Sequence, residues 1–316
     1  MRAAAIVAGA MMLLTGCGDL VGTAVPENAR YRGSLIDRFG NPLDGAAASM
    51  GEQDAARRID LCALINGAAT RELGTVTYAG PDQSLGDCQV LIGDRTGPVT
   101  KVNVSMSIQP VLGGTKTMYG SRVGNGPHDS GSSCSIAVIY NEERAMSFTA
   151  DGDNTASACP ALHAIVTEAV PLLDDPPSRA VPLGDPCSFL DTLYPPEQPL
   201  FLSGLNPSTC DYSLGVREPD DSNRYIVGTS TAIRVLIDQP PPDARMLQLA
   251  GVPAYEQPGA NTYCTITAFA GVAQPFVRPG WDGEPTDYVE VLDIAGRDCA
   301  VVREIAVAAV KTYLGR

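Results

Sequence analysis

The chain has almost no histidine, only His128 and His163, and a single tryptophan, Trp281. Two imidazoles cannot build a histidine-rich metal centre. The signatures of common catalytic machinery are missing too. There is no G-x-S-x-G elbow, no phosphate-binding P-loop and no H-E-x-x-H pair. No C-x-x-C knuckle occurs, and no two cysteines after Cys17 lie within about 20 residues of each other, which argues against zinc. Positive charge is scarce: Lys and Arg number 22 against 36 Asp and Glu, for a formal charge of -14. Such an acidic surface excludes nucleic acid and anionic headgroups as partners. After the first 16 residues, no stretch is apolar enough to span a membrane.

The amino terminus carries the clearest signal. Arg2 precedes an uncharged apolar run from Ala3 to Leu14, which leads into Leu14-Thr15-Gly16-Cys17. That ending resembles the bacterial lipobox, in which a leucine and two small residues precede the cysteine that receives lipid. The run stops at Gly18-Asp19, too early for a span of about 20 residues. Residues 1–16 are therefore expected to be a lipoprotein signal peptide, with Cys17 the lipidated first residue. Two or three acyl chains such as palmitate would hold it on the outer face of the cell membrane, where one chain would be marginal. Loss of Arg2 takes the formal charge from -14 to -15.

Eight cysteines remain, an even set in an exported chain, which reads as disulfides. They form two sets of four with matching surroundings. Asp60-Leu61-Cys62 matches Asp185-Pro186-Cys187, Cys88 matches Cys210, and Cys134-Ser135-Ile136 matches Cys264-Thr265-Ile266. The last station is the clearest. After Cys159, apolar residues fall at Leu162, Ile165, Val166, Ala169 and Val170; after Cys299 they fall at Val302, Ile305, Ala306, Ala309 and Val310. The offsets are identical and trace one helix face. Four matched stations in one order imply a tandem duplication.

The expected organisation follows. Residues 17–57 form the lipidated terminus and a tether, reaching roughly 35 Å if it is flexible throughout. Residues 58–172 are a first repeat, 173–184 a proline-rich linker and 185–316 a second repeat. Each repeat opens with a short helix at its first cysteine, with Leu64, Ile65, Ala68 and Leu73 on the apolar face of the first. Pro195-Pro196 cuts short the second. The second cysteine opens a strand. Val102, Val104, Met106 and Ile108 alternate with polar residues, so this sheet is covered on one side. Residues 229–238 are its counterpart, Cys134 and Cys264 sit on further strands, and another holds Met146 and Phe148, or Phe276 and Val277. The fold class is α+β: two tandem similar domains, each an antiparallel sheet packed against a short N-terminal helix and a longer C-terminal helix, stapled by disulfides.

The Asp-Pro-Cys-like opening, the mid-chain cysteine on a strand and the closing cysteine-started helix resemble a domain of unknown function common in actinobacterial lipoproteins. The resemblance covers residues 58 to 172 and 185 to 316. Asp60-Leu61-Cys62 lacks its proline, and Val90 and Tyr212 stand where many members carry tryptophan. The resemblance implies an envelope lipoprotein and no particular activity.

Pairing confined to each half leaves three choices in each. The pairs expected are Cys62–Cys88, Cys134–Cys159, Cys187–Cys210 and Cys264–Cys299, because each joins a helix start to a nearby strand of its own half. Other chemistry is sparse. Ser130 to Ser133 after His128-Asp129 invites a hydrolase reading, but triads assemble from distant positions, and a glycine-rich loop accounts for residues 124–131. His163 is expected on a helix flank. Asp151-Gly152-Asp153-Asn154 and Asp282-Gly283-Glu284 place Asp151, Asp153, Asp282 and Glu284 as weak calcium candidates, short of the full loop pattern. No cofactor is expected. The function expected is that of a non-enzymatic envelope lipoprotein that binds a protein or small ligand. The alternatives are a carrier of a lipid or other apolar molecule and, further off, a wall-active hydrolase.

Overall fold

The computed structural model describes residues 53–93, 99–107, 116–140, 145–152, 157–180, 183–195, 198, 200–215, 223–259, 263–280 and 284–315. The residues expected to be signal peptide, Cys17 and the stretch expected to be a tether up to residue 52 lie outside them. Residues 53–58 are helical, and Gln53, Ala56 and Arg57 are buried. The end of the stretch read as a tether therefore belongs to the folded part.

The first half holds α1 (Leu61–Ile65), α2 (Ala68–Glu72), β1 (Thr75–Gly80), β2 (Cys88–Gly93), β3 (Lys101–Ser107), β4 (Lys116–Tyr119), β5 (Arg122–Asp129), β6 (Ser133–Ile139), β7 (Ala145–Asp151) and α3 (Cys159–Ala169). The second holds α4 (Leu190–Leu193), β8 (Leu200–Asn206), β9 (Thr209–Leu214), β10 (Arg224–Ile233), β11 (Arg245–Leu249), β12 (Val252–Pro258), β13 (Cys264–Ala268), β14 (Phe276–Pro279), β15 (Pro285–Gly296) and α5 (Cys299–Tyr313). The fold is α+β, with antiparallel sheets and few helices. One sheet runs β1-β2-β3-β7-β6-β5-β4 and the other, read from its far edge, β8-β9-β10-β15-β13-β12-β11, with β14 added beside β15. The strand order is the same in both.

Local chemistry explains the helix ends. The Asp60 carboxylate accepts from the N–H groups of Cys62 and Ala63, and Asp185 accepts from Cys187 at 3.0 Å. The two matched aspartates accept the same bond from the cysteine two residues on, but only Asp60 caps a helix; residues 186–189 form a turn, and the helix expected at Cys187 starts at Leu190 with no side-chain cap. Asp298 caps α5 through Ala300 and Val301. Glu168 on α3 accepts from Ala68 and Ala69 and caps α2 across the packing interface. Pro171 turns the end of α3 into a 3-10 turn at Val170–Asp174.

The closing helices lie against the central strands, α3 on β6 and β7, α5 on β13 and β15. Every position of the matched apolar faces, Leu162 to Val170 and Val302 to Val310 at the shared offsets, is buried. In the first half they meet Val102, Val104, Ile136, Val138, Met146 and Phe148. In the second they meet Val227, Ile266 and Ile294. Burial of each such side chain stabilises by about 1.5–3 kcal/mol. The two clusters share no residue, so each half has its own core.

All four expected disulfides are present, with Cα separations of 5.1 Å for Cys62–Cys88, Cys134–Cys159 and Cys187–Cys210 and 5.4 Å for Cys264–Cys299. They point to an oxidising, extracytoplasmic compartment. No described helix is long and apolar enough to cross a membrane.

Several expectations need correction. The strand expected over 229–238 is β10, which starts at Arg224 and ends at Ile233, with a 3-10 turn at Arg234–Ile237. Phe276 and Val277 lie on the short added strand β14; the counterpart of β7 is β15, which pairs with β10 and β13 as β7 pairs with β3 and β6. The pattern of β15 misled because Tyr288 and Val289, then Val291 and Leu292, are buried in adjacent pairs, which erases alternation. Most of the glycine-rich segment read as a loop is strand β5, whose register shifts between Asn125 and His128. The linker is tied down as well. Ser178 forms a bridge with Ile59, and the Arg179 and Leu183 N–H groups donate to the carbonyls of Arg58 and Arg57.

Candidate ligand site at the junction of the two halves

The two halves meet through the segment that links β1 to β2. Tyr78 anchors its start by donating to the Pro81 carbonyl at 2.8 Å, and burial pushes that phenol up to about 12. Thr231 on β10 holds the next residues: its hydroxyl donates to the Asp82 carbonyl at 2.7 Å and its N–H to Gln83 at 3.1 Å. Arg278 on β14 donates to the Asp82 carbonyl, lies 3.4 Å from its carboxylate, and sits 4.0 Å above the Tyr288 ring. Lys101 approaches the other Asp82 oxygen at 3.7 Å. A second contact lies at the linker. The Arg57 guanidinium, buried, stands 2.5 Å from Asp54 and 3.6 Å from Asp185.

Thr231 and Glu290 are paired in register where β10 and β15 run toward this junction.

One pocket opens there, and a second lies beside it within the second half. The first, of about 300 Å³, is walled by Pro81 and Leu85 of the first half and by Ala273, Phe276, Glu290 and Tyr313 of the second. The other, of about 270 Å³, lies between Pro186–Phe189 and the face formed by Val227, Leu292 and Ala309. Tyr313 lines both. In the first pocket, burial pushes the Glu290 carboxyl above the usual carboxylate range, while a hydrogen bond from the Tyr313 hydroxyl pulls the other way. Burial and the same bond raise the Tyr313 phenol. The turn after β13 comes close: Gly271 N–H donates to the Glu290 carbonyl at 2.9 Å. A Cβ on Gly271 would stand 2.8 Å from the Glu290 Cβ, so only glycine fits there without shifting the pocket wall.

The residues singled out in the sequence lie elsewhere. Asp151 is the last residue of β7, and Glu284 precedes β15, where its carbonyl accepts from Gly280 at 2.8 Å. Asp153, Asp282 and Trp281 lie outside the described residues. His128 is exposed on β5 and His163 exposed on α3, 5.3 Å from the Tyr119 ring. Asp129 accepts from Ser157 at 2.5 Å and from Gly131, and these bonds hold it below the usual carboxylate range. Ser130, one of the serines of the hydrolase reading, donates its hydroxyl to the Ser133 carbonyl, and the Ser157 hydroxyl donates to Asp129, so neither of these two is bonded to an imidazole. Glu256, Cys264 and Cys299 cluster tightly, but both sulfurs are in a disulfide and Glu256 takes a forked pair of bonds from Arg303, at 2.5 and 2.7 Å. That set is not available to a metal. Glu290 and Tyr313 could not be singled out from the chain, because their environment is assembled from Leu85 and a turn over 180 residues away.

No family model, no curated protein and no solved structure matches this chain.

Proposed function

We propose that the chain is a lipid-anchored envelope protein, a tandem duplication of one disulfide-stapled α+β module, which binds a small ligand where its two halves meet. The lipobox-like Leu14-Thr15-Gly16-Cys17 and the four disulfides support the location. The shared strand order and the matched bonds between Asp60 and Cys62 and between Asp185 and Cys187 support the duplication, as does the resemblance of both halves to the actinobacterial lipoprotein domain. The observation that carries the binding role is Glu290. An acidic side chain is held half-buried in a largely apolar pocket, on strand β15 of the second half and beside Pro81 and Leu85 of the first. Burying a carboxyl costs free energy unless something compensates, and binding sites are where such groups are kept.

The pocket volumes sit at or below the lower end of the range for small-molecule sites. That size fits a small ligand and not a whole lipid, so a lipid carrier is the weaker reading. A wall-active hydrolase has no support from His128, His163 or Ser157, as placed above.

One preparation tests both parts. The protein is isolated from envelope membranes and weighed intact by native mass spectrometry. Wild type should fractionate with membranes and carry a small adduct. Cys17→Ser should leave the membrane fraction, and Ala273→Trp, which blocks the mouth of the pocket, should lack the adduct. A Cys17→Ser protein that sediments and migrates like wild type contradicts the anchor. A ligand-free wild type, or an adduct retained by Ala273→Trp, contradicts the junction site.

A further inference from the structure

Among the described residues, no Lys or Arg lines the pocket around Glu290, and no cation is among the groups that shift its carboxyl: burial acts first and the Tyr313 hydroxyl second. This sets it apart from the other carboxylates near the junction. Asp82 has Arg278 and Lys101, and Asp185 has Arg57. An ionised carboxylate offers about four acceptor positions, and one hydroxyl fills one of them. The rest of the pocket is mostly apolar, with Pro81, Leu85, Ala273 and Phe276 around the carboxyl. The whole chain carries a formal charge of -14, so its field draws cations and repels anions.

We propose that the junction pocket takes a small organic cation, a protonated primary amine on a short apolar body, with the ammonium on Glu290 and the apolar part against Leu85, Ala273 and Phe276. This rests on the reading of the junction as a ligand site and names the class of ligand. The ammonium supplies an opposite charge that no described residue lining the pocket provides, and so favours the ionised form of Glu290. A charge-assisted bond of this kind is about twice as strong as a neutral one. An alcohol of the same length keeps the apolar contacts but loses that bond. A carboxylate of the same length brings a second negative charge to Glu290.

Calorimetric titration of the full mature chain with hexylamine, hexanol and hexanoate at neutral pH tests this. Hexylammonium should bind at least tenfold more tightly than hexanol, and hexanoate should show no binding. Glu290→Gln should bring hexylamine down to the level of hexanol. Tyr313→Phe keeps the ring and the carboxylate and should keep the preference for the amine. Equal binding of hexylammonium and hexanol to wild type overturns the ligand class and leaves the junction site standing. So does a folded Glu290→Gln that retains the preference. Failure of all three probes to bind wild type overturns the ligand site, and the amine with it. The comparison among probes in wild type decides the matter even where Glu290→Gln fails to fold.

Discussion

Asp87 shows how the junction stores sensitivity to pH in a single residue. Burial raises its carboxyl from 3.8 to about 6; Asp82 adds to the shift and Arg179 opposes it. The folded chain therefore holds this proton more tightly than the unfolded chain does. Its contribution is fully present below pH 4 and is lost as pH rises through 6, a change of up to about 3 kcal/mol. Asn mimics the protonated acid at all pH values. Asp87→Asn should match wild type at pH 4 and exceed it by about 1–3 kcal/mol at pH 7, read from urea unfolding at the two values. A difference that does not change with pH would show that Asp87 titrates normally. Neither Asp87 nor Glu290 stands out in the chain. Their shifts come from partners such as Asp82, Arg179 and Tyr313, which only the fold brings near. The cysteines are legible because they repeat in matched context, with Asp60 and Asp185 each two residues before one of them.

At the scale of elements, the closing helices were read most completely. Their offsets from Cys159 and Cys299 place the same five positions on the buried face, and a 3.6-residue period survives wherever one side of a helix is covered. The strands were harder. Val102, Val104 and Met106 alternate cleanly because only one face of β3 is buried, whereas β15 buries adjacent residues and β5 is rich in glycine. The disulfides tie these two kinds of element together, since Cys134 on β6 holds the first residue of α3. That link closes a loop with a separation of 25 residues, which in the chain-entropy account is worth about 3.5 kcal/mol. Replacing both Cys134 and Cys159 with alanine should lower unfolding stability by about that amount, measured in urea against wild type under non-reducing conditions. A loss below about 1 kcal/mol would mean that the helix stays seated by packing alone.

For the whole molecule, the division into two halves was legible and their docking was not. The matched cysteine stations and the prolines after α3 mark the boundary, and each side has a separate apolar core. The docking relies on pairs such as Asp82 and Arg278, 196 residues apart, with no local signature in either segment. Among the described residues, the polar contacts at the junction run from Thr231 and Arg278 to the loop and from Arg57 to Asp185, beside the apolar walls of the pocket. Inter-domain contacts of this kind orient units that are already folded. The halves are therefore expected to fold as independent modules, and expression of residues 185–316 alone in an oxidising compartment tests this. Urea unfolding of that fragment should be a single cooperative transition, with resistance to protease below its midpoint. A fragment that stays disordered with Cys187–Cys210 and Cys264–Cys299 formed would contradict the claim and make the two halves one folding unit.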